Sequence, residues 1–217
     1  ISKPTWPNHR SVFLHAGMHV GDYPYYDTNL QDVDFNSMCA HLSSLPEKSV
    51  IVLHTCCHNP TGADLSHAQW KELSLLFSEK KLIPFFDTAY QGFADNLESD
   101  GYPVRLFIED GHEIVVATSY AKNFSLYSER IGALYIVCKT AQAKENVLSK
   151  IRVLIRANYS NPPQHGAKIV DGVLTDKVLR NLWERELSEM RERIDSIRTL
   201  FAEALKKKKK NRDYSYL

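Results

Sequence analysis

The chain has 217 residues, 43% of them hydrophobic and 24% charged, the balance of an ordinary globular protein with room for a sizeable core. Its 27 Lys and Arg against 26 Asp and Glu leave a net charge of +1, so neither a nucleic-acid partner nor a membrane surface is expected. No apolar run approaches the roughly 20 residues that cross a bilayer, no signal peptide is visible, and Cys39, Cys56, Cys57 and Cys138 form no regular framework. Reduced thiols and a cytoplasmic location are expected, with a mitochondrial one in reserve.

In chain order, Ser49 to His54 (SVIVLH) reads as a short strand running into a turn at Asn59-Pro60-Thr61-Gly62. Ser66 to Lys80 has helical spacing of Trp70, Leu73, Leu76 and Phe77, with Ser66 as the N-cap. Leu82 to Asp87 (LIPFFD) and Glu113 to Ser119 (EIVVATS) are the next strands. Gly132 to Cys138 (GALYIVC) follows closely enough to be antiparallel to the strand before it. Ala141 to Arg156 reads as a helix. Val178 to Lys210 reads as one long helix with i,i+4 charge pairing around Glu186, Met190, Arg191 and Asp195. Lys206 to Lys210 reads as its solvated, cationic end.

Short strands alternating with helices predict an α/β fold with a mostly parallel sheet flanked by helices. Asn59, Asp87, Ser119 and Lys122 then collect just past the strand ends, where open α/β sheets bind ligands. Each residue alone has a plain structural explanation. Lys122 could be a surface lysine, Asp87 a helix cap, His9 a packed core histidine, Trp6 a core aromatic and Tyr90 a strand-end aromatic. Arg130 could pair with Glu129 on the surface, and Arg156 could share an exposed helix face with Arg152. His54 and His58, with Cys56 and Cys57 between them, have zinc-ligand side chains. Their segment reads as strand and turn rather than helix, so buried thiols and packed imidazoles are expected and no metal.

The order of six segments narrows this. Trp6-Pro7-Asn8-His9, Cys57-His58-Asn59-Pro60-Thr61-Gly62 and Asp87-Thr88-Ala89-Tyr90-Gln91-Gly92-Phe93 come first. Ser119-Tyr120-Ala121-Lys122-Asn123-Phe124, Tyr127-Ser128-Glu129-Arg130-Ile131-Gly132 and Arg156-Ala157-Asn158-Tyr159-Ser160-Asn161-Pro162-Pro163 follow. Together they resemble the class I pyridoxal-phosphate-dependent aminotransferases of the aspartate aminotransferase subfamily, from Trp6 to about Tyr216.

The resemblance implies a fold type I large domain over residues 1–175. Residues 176–217 would be a long interdomain helix and the start of a small domain. It implies pyridoxal 5′-phosphate as cofactor and Lys122 as the Schiff-base lysine and general base, because a lysine amine is readily tuned by burial and neighbouring charge. Asp87 would hold the pyridine nitrogen protonated, with His9 behind it. Trp6 would stack on the ring. Tyr90 and Asn59 would donate to the phenolic oxygen, and Ser119 and Arg130 would hold the phosphate. Asn59 and Trp6 would also face substrate. Arg156 would reach the side-chain carboxylate of aspartate or glutamate from the neighbouring subunit of a homodimer.

The activity implied is transfer of the amino group between aspartate and 2-oxoglutarate, an amino-acid and a 2-oxo-acid substrate. An aromatic aminotransferase and an inactive truncated product are the alternatives. The chain starts without methionine and ends on the alternating Tyr214-Ser215-Tyr216-Leu217, which reads as a strand just begun, so a fragment is expected. A glycine-threonine phosphate turn and a tyrosine reaching the partner's phosphate would then lie before Ile1, and an α-carboxylate-binding arginine after Leu217. Two positions depart from the pattern. Ala121 stands where serine is common, which removes a phosphate contact, and Ser125 stands where glycine is usual, which matters if φ is positive there.

Overall fold

A computed structural model describes residues 1–208. The predicted terminal strand at Tyr214–Leu217 and the last two lysines of the predicted long helix lie outside the described residues. The chain opens with β1 (Ser2–Lys3), α1 (Asn8–His15), β2 (Tyr23–Pro24), β3 (Tyr26–Asp27), β4 (Asp32–Val33) and α2 (Phe35–Ser43). The main sheet follows as β5 (Val50–His54), β6 (Ile83–Thr88), β7 (Ile114–Ser119) and β8 (Gly132–Val137). Between β5 and β6 lies α3 (His67–Lys80), and between β6 and β7 lie α4 (Leu97–Asp100) and α5 (Tyr102–Glu109). Three helices finish the described chain: α6 (Ala141–Tyr159), α7 (His165–Thr175) and α8 (Lys177–Lys208).

The sheet order is β5-β6-β7-β8, with the first three strands parallel and β8 antiparallel to β7, as the spacing predicts. The predicted strands and the predicted helix after Ser66 match to within a residue or two. Helix α3 starts where a capping box forms: Gln69 N–H donates to the Ser66 hydroxyl, and the Gln69 side chain accepts from Ser66 N–H. It stops at Lys81, whose left-handed φ of 51° closes the last turn.

The core lies between β5–β7 and the helices α2, α3 and α5. Phe107 of α5 meets Phe86 of β6 edge to face at 5.2 Å and Phe77 of α3 at 5.4 Å, with Met38, Leu42, Leu53 and Leu73 filling around them. Burying each such side chain contributes about 1.5–3 kcal/mol. That packing fixes the strands as a unit, and register does the rest. His54 pairs with Asp87, Asp87 with Ala117, and Thr88 with Thr118, so the carboxyl ends of three strands finish level. Asp87 is therefore inside β6, one residue before its end.

Helix α8 follows α7 after a break at Asp176, whose side chain accepts from Val178 and Leu179 N–H. Its ion pairs at i,i+4 are Arg180–Glu184 and Arg185–Glu189 rather than the region predicted around Glu186 to Asp195. Arg191 instead turns inward to the carbonyl of Gly92 and the hydroxyl of Ser188. An Arg side chain reaching a backbone carbonyl in the fold is held by geometry that a surface ion pair lacks. No helix of the described residues is long and apolar enough to cross a membrane.

Candidate active site

The site grows from the level strand ends. Asp87 Oδ2 accepts from His9 Nε2–H at 2.8 Å, and His9 Nδ1 takes a hydrogen bond from the Thr5 hydroxyl at 2.7 Å. These two partners set the imidazole's tautomer and its orientation. His9 is on the first turn of α1, 6% exposed, and Trp6 lies edge-on to it at 5.3 Å. Trp6 itself is 41% exposed, so it is not a core aromatic.

Behind His9 the imidazoles continue inward. His54 packs edge-on to His9 at 5.2 Å, and His58 follows at 4.4 Å, stacked on Tyr25 at 3.9 Å. Burial depresses His54 to about 4 and His58 to about 3, so both rings are neutral. His58 is engaged at both nitrogens, by Ser2 at 3.0 Å and Thr61 at 2.8 Å, and His54 Nδ1 accepts from Asn59 N–H. The metal-type set His54, Cys56, Cys57 and His58 therefore does not converge on one point. Among the described residues, His9, His54 and Asp87 bring ligand-type atoms within 4.8 Å of one another, and the His9 and Asp87 atoms are already paired. The thiols are free and Cys56 is buried.

The Asn59 turn is built by Asp64, which the sequence reading passed over. Its two oxygens accept from the N–H groups of Cys57 and His58 at 2.6 and 2.8 Å, and Gly62 N–H closes onto His58 O at 2.7 Å. Gly62 sits at φ 68°, a conformation glycine adopts without strain. Tyr90 lies two residues beyond β6, on the side of the site where Asn59 follows β5. Burial, with the charge of Asp87 beside it, raises the Tyr90 pKa, so its O–H stays a donor at neutral pH.

Lys122 follows β7. Its Nζ lies 5.1 Å from the centre of the Tyr90 ring and 5.7 Å from that of Tyr127, a neighbour the motif contained without an assigned role. Ser125 closes this loop through Ser125 N–H to Lys122 O, and it does so at φ 54°, so the condition under which its replacement of glycine matters is met. Ala121 is buried at 7%, with no hydroxyl to offer.

The antiparallel pairing of β7 and β8 brings the segment that carries Arg130 alongside the end of β7, where Ser119 stands. Ser119 pairs with Gly132 across the ladder, and Tyr120 N–H donates to Ile131 O at 3.1 Å. Gly132 is required there, since a Cβ would come within 2.4 Å of the Thr118 carbonyl oxygen. Arg130 is exposed at φ 54°, donates to Tyr127 O at 2.9 Å and forms no ion pair with Glu129. Arg156 is at the exposed end of α6, bonded to Ser160; no contact within the described chain brings it to Lys122.

The chain is 47% identical to the aspartate aminotransferase of Salmonella typhi, matching over 100% of its own length and 55% of that protein. It is 42% identical to the aromatic-amino-acid aminotransferase of Escherichia coli strain K12, again over 55% of that protein. A crystal structure of the aromatic-amino-acid aminotransferase from Burkholderia pseudomallei, covalently bound to pyridoxal phosphate, superposes with a TM-score of 0.97. It is 45% identical, covering 99% of this chain and 54% of that one. The fold is that of the fold type I pyridoxal-phosphate transferases. Residues 1–216 match the model of aminotransferase class I and II, and the chain belongs to that family. It spans about half the length of the curated relatives it matches.

Proposed function

We propose that the protein carrying this chain is a pyridoxal-5′-phosphate-dependent aspartate aminotransferase, moving the amino group between L-aspartate and 2-oxoglutarate to give oxaloacetate and L-glutamate. The observation that carries the reading is the convergence of Lys122 with Tyr90 at a strand end that also presents a histidine-bound carboxylate, Asp87. The donor set suits the cofactor. It offers an amine for an aldehyde, a carboxylate for a pyridinium, a phenol and an amide for a phenolic oxygen, and a hydroxyl with a guanidinium for a phosphate. Aspartate as substrate is supported by the names of the relatives at 46–47% identity.

When bound, pyridoxal phosphate supplies an aldehyde that takes up the amino group and a protonated ring that draws electrons from the substrate Cα. Lys122 Nζ would hold the cofactor and, once freed, its amine would carry the proton between the substrate Cα and the cofactor C4′. Asp87 keeps the pyridine nitrogen protonated by its negative charge, and His9 and Thr5 keep that carboxylate aimed. Tyr90 and Asn59 donate to the phenolic oxygen. Ser119 and Arg130 bind phosphate, and Trp6 covers the ring and borders the substrate with Asn59.

Arg156 binds the substrate's distal carboxylate in a neighbouring copy, which makes the functional unit a homodimer. Its exposed place on a helix with no buried residue supports that reading. Residues 1–175 would form the cofactor-binding large domain, with 176–217 as interdomain helix and the start of a small domain. A cytoplasmic location is supported by the relative from Oryza sativa named as cytoplasmic.

The test is absorbance of the intact protein mixed with pyridoxal 5′-phosphate. A visible band is expected in the unsubstituted protein and absent in Lys122→Ala; the same band in both would overturn the assignment. An aromatic aminotransferase is the second reading, supported by the aromatic enzymes among the solved structures at TM-scores of 0.93–0.97. Turnover of tyrosine or phenylalanine at rates matching aspartate would favour it.

A further inference from the structure

The geometry points to Asn123 as the residue that positions Lys122 against Tyr90, acting together with Trp183 of α8. The inference rests on reading Lys122 as the cofactor lysine. Among the described residues no hydrogen bond holds Lys122 Nζ, which lies between the faces of Tyr90 and Tyr127. Its place is therefore set by the backbone that carries it, and the next residue is the point where that backbone is fastened.

Asn123 is 6% exposed and reaches two other segments. Its Nδ2–H donates to Gln91 O at 3.2 Å, tying the lysine loop to the residue after Tyr90. Its own carbonyl accepts from Trp183 Nε1–H at 2.7 Å, tying the loop to α8. The Trp183 ring also stacks on Phe124 at 4.4 Å with 25° between planes. The Tyr90 loop is fastened to the same helix. Arg191 Nη1–H donates to Gly92 O at 3.2 Å, and Gly92 lies so close to Leu187 that a Cβ would approach its Cδ2 to 2.4 Å. One helix thus holds both loops, and Asn123 is the side chain that joins them directly.

Packing does not account for the amide. Asn123 Oδ1 is buried with no partner among the described residues, an arrangement a leucine of similar size would avoid. An asparagine kept at such a cost is explained by the donor on its other side, which spans the two loops. The spacing of Lys122 and Tyr90, 5.1 Å from amine to ring centre, then depends on it. Small misplacements of that kind lower the rate without removing any reacting group.

Two variants of the intact protein test this. Asn123→Leu keeps volume and removes the bridge to Gln91. Trp183→Phe keeps an aromatic ring beside Phe124 while removing the N–H donor and part of the indole, so it remains informative if the first variant folds poorly. Two readouts are followed: the pH midpoint of the Lys122-dependent absorbance of the pyridoxal-phosphate-loaded protein, and amide hydrogen exchange across residues 88–93 and 119–126. Each variant should move the midpoint by roughly half to one pH unit, the scale of one net hydrogen bond. Each should also speed exchange in both segments together, while the α3 and β5 amides stay as they were. Midpoint and exchange unchanged in folded variants would overturn the proposal, as would faster exchange spread evenly over the fold. A wild-type protein with no lysine-dependent band would instead sink the cofactor reading, and exchange would still decide whether Asn123 joins the loops.

Discussion

Residues 1–137 and residues 141–208 are built on different terms. The first region packs Phe77, Phe86, Phe107, Met38 and Leu73 out of reach of solvent, and its candidate site residues stand mostly on or just beyond the strands held by that core. In the second, α6 has no buried residue at all, and Gly166, Val170 and Leu187 are the buried positions of α7 and α8. Val153, Leu154, Val178 and Leu200 stand more than 60% exposed. The contrast separates two ways of placing a functional group. Asp87 is precise because its strand is locked by register, whereas α8 reaches the site through three residues: Trp183, Leu187 and Arg191. Rigid placement and peripheral attachment should therefore respond differently to substitution.

The largest effect expected lies where the two meet the chemistry. If Lys122 has the proposed role, Lys122→Ala in the intact protein should lower kcat by on the order of 10³-fold or more, since covalent attachment and proton transfer would both depend on one amine. A transaminase assay decides it; a loss of less than tenfold would move the general base elsewhere. Next comes the core. Phe107→Ala should cost about 3–5 kcal/mol in denaturant unfolding, while Leu154→Ala on α6 should stay within about 0.5 kcal/mol. Similar costs at the two positions would show that α6 is covered in solution and that the contrast between the regions is false.

How much of this was legible beforehand follows the same division. The strands β5 to β8 are short apolar runs bounded by turns, and α3 carries a capping box, so local signals sufficed. The nearness of Asn59, Asp87, Ser119 and Lys122 to the strand ends was legible because register puts them there once the strands are known. Helices α1, α2, α4, α5 and α7 were missed. Helix α1 buries only His9, so it has no apolar stripe to read, and α5 buries only Pro103 and Phe107. Asp34 as the N-cap of α2 and Pro103 at the start of α5 were available signals. The fastening of Asn123 to Gln91 and Trp183 spans 32 and 60 residues. No local pattern encodes such a contact, and the charge pattern of α8 pointed Arg191 outward when it turns in.

A third, intermediate effect comes from the buried imidazoles. His54 and His58 have folded pKa values of about 4 and about 3, below the ordinary 6.5. Above pH 6.5 neither state binds the protons and the contribution to stability is whole. As the pH falls below that value the unfolded chain protonates first, so stability drops until the folded values are reached. Acidification from pH 7 to 5 should therefore cost on the order of 2 kcal/mol per histidine. Melting curves at several pH values measure it. His54→Gln with His58→Gln should flatten the dependence; an equally steep loss in that double variant would assign it to other groups.

The smallest effect tests the lysine loop itself. Ser125 holds φ 54°, and its N–H closes the turn onto Lys122 O at 3.0 Å. A left-handed residue with a Cβ carries about 1–2 kcal/mol of strain, while glycine loses roughly 0.5–1 kcal/mol more backbone entropy on folding. Ser125→Gly should thus stabilise by a few tenths of a kcal/mol up to about 1. Because Ser125 is exposed and donates no side-chain bond to the site, kcat should stay within about twofold. A variant that gains stability but loses rate would mean that the strain itself holds Lys122 against Tyr90. The loop would then be poised by its own backbone as well as by Asn123, and the strained serine would share the positioning that the rigid strands give to Asp87.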